Sequence, residues 1–147
     1  DVERSRGLGD VYKRQERDTL SAPLDKIQII KGWSENGKIN EVVYDVICSD
    51  DRDINNRNNK CKETKASVNF ENCSFDENYG SDRLEVIWTD TEYTPDQNTF
   101  YYARAIENPT CRWSTYDSIR IDEKPAKNYP KITREMAWSS PIWIKNK

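Results

Sequence analysis

The sequence predicts a mainly β protein, an antiparallel sandwich-like domain with one short helix near the C-terminus. Three observations predict it. Short runs rich in β-branched and aromatic residues recur along the chain, with turn residues between them. Two of these runs flank Asn36-Gly37, a hairpin signal because both positions tolerate φ > 0. The composition then says what such strands bury. Only 35% of the 147 residues are hydrophobic and 33% are charged, yet the chain holds five Trp, eight Tyr and three Phe. Disordered chains are poor in aromatics, so a small core built from a few large rings is the reading that fits.

In chain order, residues 1–15 (DVERSRGLGDVYKRQ) show neither helical nor strand periodicity and offer little to a core. The stretch resembles translated sequencing-adaptor sequence at the ends of metagenomic reading frames; a native disordered terminus is the alternative. The domain is therefore expected over 16–147. Lys26 to Trp33 is a strand, and Glu41 to Cys48 returns as its hairpin partner. Residues 49–63 are polar and read as a loop. Ala66 to Phe70 is a short strand and Leu84 to Trp88 a clearer one. Thr94-Pro95-Asp96 is a turn. Thr99 to Ile106 is the strongest strand and is expected at the centre of the sheet, with Asn108-Pro109 stopping it. Ser118 to Asp122 alternates as a strand does. Lys131 to Ala137 is expected to make one or two helical turns, and Pro141 to Ile144 closes the domain as a last strand.

Several function classes are excluded. The formal net charge is -3 with both signs interspersed, so no basic stripe points to nucleic acid. No apolar run approaches the roughly 20 residues of a membrane helix. Histidine is absent, which rules out Ser-His-Asp, Cys-His and His-based zinc chemistry within this chain. A carboxylate-only enzyme stays open.

The four cysteines, Cys48, Cys61, Cys73 and Cys111, show no CxxC spacing. An even number in a polar, small-core domain favours two disulfides, with three connectivities open. Cys48–Cys61, stapling the polar loop, and Cys73–Cys111 are the favoured pairs; four reduced cysteines in a cytosolic protein are the alternative. Asp51-Arg52-Asp53-Ile54-Asn55 opens like a calcium loop, but Asn56 stands where glycine is needed and Lys62 where glutamate is needed. A solvated loop is expected there. Arg112-Trp113-Ser114-Thr115-Tyr116-Asp117 offers a guanidinium, an aromatic face, hydroxyls and a carboxylate. It reads either as a site or as a structural loop with Trp113 in the core, Arg112 paired to Asp117 and Thr115 serving backbone groups. Trp138-Ser139-Ser140-Pro141-Ile142-Trp143 suggests sugar stacking or, more simply, a sealed core edge.

Taken together, Ala22 to Trp33, Val43 to Val46, Phe100 to Arg104, Glu107 to Asp117 and Ala137 to Trp143 resemble, in order and spacing, the C-terminal end of bacterial domain-of-unknown-function family 3604. The resemblance implies an exported parent, periplasmic or secreted. That parent would carry an upstream domain similar to the PHP (polymerase and histidinol phosphatase) metallohydrolases. Any divalent metal would sit in that upstream domain, so this chain is expected to hold no catalytic residue, metal or cofactor of its own. Arg104, Arg112, Trp113, Thr115, Tyr116 and Asp117 are candidates to line a cleft shared with it. The chain itself is expected to be a C-terminal fragment, truncated on its N-terminal side. An uncovered sheet surface and marginal stability in isolation should follow. The competing expectations are an accessory domain of a metal-dependent hydrolase of phosphate or other esters, a glycan- or surface-binding module using Trp113, Trp138 or Trp143, and a purely structural domain.

Overall fold

The structure is a computed structural model and describes residues 10–95, 97–124 and 127–145. Among these it holds eleven strands and one helix. The strands are β1 (Asp10–Glu16), β2 (Leu24–Glu35), β3 (Lys38–Cys48), β4 (Ile54–Asn55), β5 (Lys60–Cys61), β6 (Arg83–Thr89), β7 (Asn98–Glu107) and β8 (Thr110–Cys111). Helix α1 (Trp113–Arg120) follows, then β9 (Ile132–Thr133), β10 (Met136–Trp138) and β11 (Ile142–Ile144).

The main sheet runs β10-β7-β2-β3, with β11 continuing the β10 edge of β7. Its pairs are antiparallel. The predicted hairpin is β2 and β3, closed by Asn36 and Gly37 at φ 50° and 74°, as a tight turn matched to strand twist requires. Strand β7 lies at the centre, as its sequence predicts. Below it, Gln97 N–H donates to Thr94 C=O at 3.1 Å in the predicted turn; Asp96 itself lies outside the described residues.

A second layer, the β1–β6 ribbon, covers one face of this sheet. Val11 and Trp88 pack there with Ile29, Tyr101, Ala103 and Ile144, and Leu84 packs with Leu24 and Ile27. The fold is thus the mainly β, two-layer arrangement expected. Part of residues 1–15 does contribute to it, against expectation. Residues 10–16 are a paired strand and Val11 is buried. The physical reason is the long exposed edge of β6, which rewards any extended segment with backbone hydrogen bonds. Residues 1–9 lie outside the described residues.

Four local expectations are corrected. Ser118 to Arg120 is helical, because Thr115 and Ser118, three residues apart, form the buried face of α1 while Ile119 and Ile121 stay exposed. Apolar alternation there does not mark a buried face. Lys131 to Ala137 is extended rather than helical, since β9 pairs β8 and β10 pairs β7; ladder bonds outweigh local propensity. Ala66 to Phe70 forms no strand beyond a single bridge, Val68 to Phe75, and Phe70 is exposed. Residues 49–63 are no free loop. They hold the β4–β5 hairpin, and Arg52 ties it down by donating to Asp25 C=O, Asp25 Oδ1 and Lys62 C=O at 2.5–2.7 Å.

Both favoured disulfides are present. Cys48 is bonded to Cys61 and Cys73 to Cys111, with Cα separations of 6.0 and 5.6 Å.

Candidate functional site

The sheet buries one face under the β1–β6 ribbon. Its opposite face carries a cluster of functional side chains. Alternation along β7 sends Thr99, Tyr101, Ala103 and Ala105 into the core and Phe100, Tyr102 and Arg104 to the other side. Cross-strand neighbours share a face. Gly32, Ile30 and Gln28 on β2 therefore stand beside Phe100, Tyr102 and Arg104, and Val43 and Asp45 on β3 extend the rows.

Edge strands β10 and β11 bring two tryptophans to this same face. Trp138 pairs Arg104 and Trp143 pairs Phe100. Five steps of chain on the edge therefore oppose four on β7. Strict alternation would put Trp138 and Trp143 on opposite sides. One extra residue at Ser139-Ser140-Pro141 reverses the parity, as a bulge does. Ser139 holds the irregular step: its N–H donates to Ala103 C=O and its hydroxyl accepts from Ala103 N–H, both at 2.9 Å.

The aromatic layer is packed along the sheet. Phe100 and Tyr102 lie near-parallel, 7° apart with centroids 6.4 Å apart, and Trp143 tilts against Phe100 at 5.0 Å. Gly32 makes room. A Cβ there would meet the Phe100 ring at 2.3 Å, so only glycine lets the ring lean over β2. The outer rings stay open: Trp138 is 60% and Trp143 65% exposed. The expectation that this segment seals a core edge is therefore wrong for its tryptophans; Ile142 and Ile144 pair the inward-facing Tyr101 and Thr99, and Ile144 packs against the core.

A polar ladder crosses the strands beside the rings. Arg104 donates through Nε and Nη2 to Gln28 Oε1 at 2.8 and 2.5 Å. Gln28 Nε2 donates to Asp45 Oδ1 at 2.6 Å. Asp45 also accepts from Lys26 at 2.9 Å and from Cys61 N–H at 2.8 Å, with Lys60 at 3.7 Å. Burial works against ionising Asp45, but Lys26, the Cys61 amide and Gln28 outweigh it and hold its carboxyl below the usual range. The cations of this network are Arg104, Lys26 and Lys60, and its one carboxylate is Asp45, an excess of two positive charges (3 − 1). Among the described residues no carboxylate lies within ion-pair distance of Arg104.

The other candidates occupy a different element. Arg112 is the N-cap residue of α1, without a side-chain capping bond, and its guanidinium lies 5.9 Å over the Tyr129 ring. Trp113 is 77% exposed and does not fill the core; it tilts against Tyr116 at 6.2 Å. Tyr116 donates to Cys73 C=O at 3.3 Å. Thr115 is buried and donates to Lys131 C=O at 2.8 Å, the backbone service expected of it. Asp117 forms no pair with Arg112; its C=O accepts from Ile121 N–H instead. Arg104 and Arg112 share no hydrogen-bond or ring partner among the described residues. Arg104 belongs to the sheet face, on β7, and Arg112–Asp117 to the start of α1.

Sequence reasoning singled out Arg104 and the two tryptophans. It missed Gln28, Asp45 and Phe100 as their companions. The signal was present as alternating positions on three strands, but it becomes readable only once the register is known. Asp51 and Asp53 assemble no cation site: Asp53 pairs Lys62 at 2.5 Å, and no group of three or more candidate ligands forms among the described residues. No described helix is long and apolar enough to cross a membrane.

Residues 10–146 match the family model described as protein of unknown function DUF3604, and the chain belongs to that family. No curated protein and no solved structure matches it.

Proposed function

We propose that this chain is a non-catalytic accessory domain of an exported bacterial protein resembling the PHP-type metal-dependent hydrolases of phosphate or other esters. An upstream domain of the same protein would hold the divalent metal, which in such enzymes supplies a hydroxide nucleophile and stabilises developing negative charge. In this reading the residues of this chain are assigned no step of the chemistry. Their work in this reading is to bind and hold. The observation that carries it is the open sheet face, where Trp138, Trp143, Phe100, Tyr102 and Arg104 stand together. Large apolar groups left uncovered beside a fixed cation mark an interaction surface. The two disulfides suit an oxidising compartment, the periplasm or the exterior.

The test is an assay of the longer protein for bound divalent metal and for turnover of generic phosphate and sulfate esters, with the Arg112→Ala variant alongside. Metal-dependent turnover supports the accessory-domain reading, and its loss in the variant places the α1 segment at the substrate cleft. Neither metal nor turnover removes the hydrolase reading for these esters. A second reading, a glycan-binding module, is favoured by the exposed rings of Trp138 and Trp143, since aromatic faces stack on sugar rings. Titration of the chain with soluble neutral and acidic polysaccharides tests it directly.

A further inference from the structure

We infer that the open sheet face is a protein-docking surface, and that its occupant is the upstream part of the same longer protein, through an apolar surface presenting a carboxylate to Arg104. The inference rests on the accessory-domain reading and adds the chemistry of what that domain touches.

Three observations choose this occupant. The first is the residue mixture. Trp138, Trp143, Phe100, Tyr102, Met136 and Arg104 are the types enriched at the cores of protein interfaces, and Trp, Tyr and Arg dominate their hot spots. The second is shape. Small ligands are taken by concave sites that bury most of their surface. Two cavities, of about 320 and 220 Å³, lie between α1 and Phe70 and beside Leu24, Glu107 and Glu135; the second reaches this face only at its Met136 margin, and neither is lined by Arg104, Phe100, Tyr102, Trp138 or Trp143. Strands β7 and β2 lay the rings along a sheet, and a sheet face suits another protein surface.

The third observation is charge. Asp45 has no exposed side-chain surface, while Lys26 and Lys60 retain 18% and 43%. Beside Arg104 a partner therefore meets the cations and not the carboxylate that anchors them; an exposed carboxylate of this face, Glu41, lies in the Phe100 row, across from Gly32. Arg104 is fixed before contact, because Nε and Nη2 are both held on Gln28, and Gln28 is held on Asp45. A guanidinium positioned in advance loses little freedom on binding a carboxylate. It stands directly across the ladder from Trp138, so the ion pair would form at the margin of an apolar contact that excludes water. Pairing there is worth more than at an open surface.

Tryptophan oxidation resolved by peptide mass spectrometry tests this, applied to the present chain and to the longer protein under one dose. Trp113, on α1, serves as the exposed reference. We expect Trp138 and Trp143 to react at least about tenfold more slowly in the longer protein, as burial under a docked surface requires, with Trp113 unchanged. Arg104→Met should restore their reactivity there, by weakening association about thirtyfold or more, while Arg104→Lys restores it only in part. Unchanged protection of Trp88, which packs against the core under the β1–β6 ribbon, shows in both variants that the domain is still folded. Equal reactivity of Trp138, Trp143 and Trp113 in the longer protein overturns the inference. So does protection of Trp138 in the present chain by polygalacturonate, which would make the occupant an acidic glycan. Ester turnover measured on the same samples separates the two proposals. Protected tryptophans without turnover leave the docking surface and remove the hydrolase; turnover with reactive tryptophans does the reverse.

Discussion

The two faces of the main sheet are built from the same strands, yet they solve opposite problems. The face under the β1–β6 ribbon is lined by Ile27, Ile29, Tyr101 and Ala103 and is sealed. A charged pair there, Lys31 with Asp90 at 2.5 Å, is buried and hydrogen-bonded. Tyr101 donates to Asp90 at 2.5 Å, Glu92 N–H donates to it at 2.9 Å, and Lys31 donates to Glu92 C=O at 3.1 Å. The opposite face carries rings that remain open and a ladder with two positive charges in excess. Hydrophobic residues alone do not distinguish the faces. Coverage does, and coverage decides whether an aromatic residue stabilises the fold or is left for a partner.

The largest loss is expected on the sealed face. Lys31→Met leaves Asp90 buried without its cation, and a loss of about 3–5 kcal/mol is expected in urea unfolding. A loss under about 1 kcal/mol would mean that water reaches the pair. Next comes the staple beside the open face. Cys48–Cys61 holds the β4–β5 hairpin, which gives Asp45 the Cys61 amide. Replacing both cysteines by serine should cost about 3 kcal/mol on the chain-entropy account. The open face would then depend on a covalent tie where the sealed face depends on burial.

Gly32→Ala is smaller. Its Cβ would displace the Phe100 ring, so a loss of about 1–3 kcal/mol is expected. Phe100→Leu in the same chain should recover part of it. Acid probes the ladder. The folded Asp45 carboxyl lies below its ordinary value of 3.8. The stability it contributes is complete above that value and is lost as pH falls through the lower, folded one. The melting temperature of the parent chain should therefore drop more steeply below pH 4 than that of Asp45→Asn. Glu107 runs the other way. Burial raises its carboxyl above 4.5, against the hydroxyl of Ser21, which donates to it. Its contribution is present below that value and is lost as pH rises through the folded one, so Glu107→Gln should gain relative stability as pH rises above 4.5. The smallest effect belongs to the open rings. Trp138→Ala should change stability by no more than about 0.5 kcal/mol, as surface replacements do. A large loss would make this face part of the core and end the comparison.

From the amino-acid sequence alone came the β class, the β2–β3 hairpin, the central place of β7 and a preference, among three connectivities, for the Cys48–Cys61 tie. Each of these is local or nearly so. Asn36-Gly37 sets its own turn, the alternation of Thr99 to Ile106 sets a strand, and the Cys48–Cys61 tie closes a short polar loop. Tertiary structure decided what depends on neighbours. The register of β7 between β2 and β10 puts Gln28 and Asp45 behind Arg104. Free ladder edges drew Lys131 to Ala137 into strands, and two buried side chains on one side of α1 made a helix where alternation suggested extension. The extra residue at Ser139-Ser140-Pro141 is the clearest case. Read along the chain, Trp138 and Trp143 fall on opposite sides. Only the count of partners across the ladder, five against four, shows them on one face, because a side chain's direction in a sheet follows from the strand it pairs with as well as from its own position.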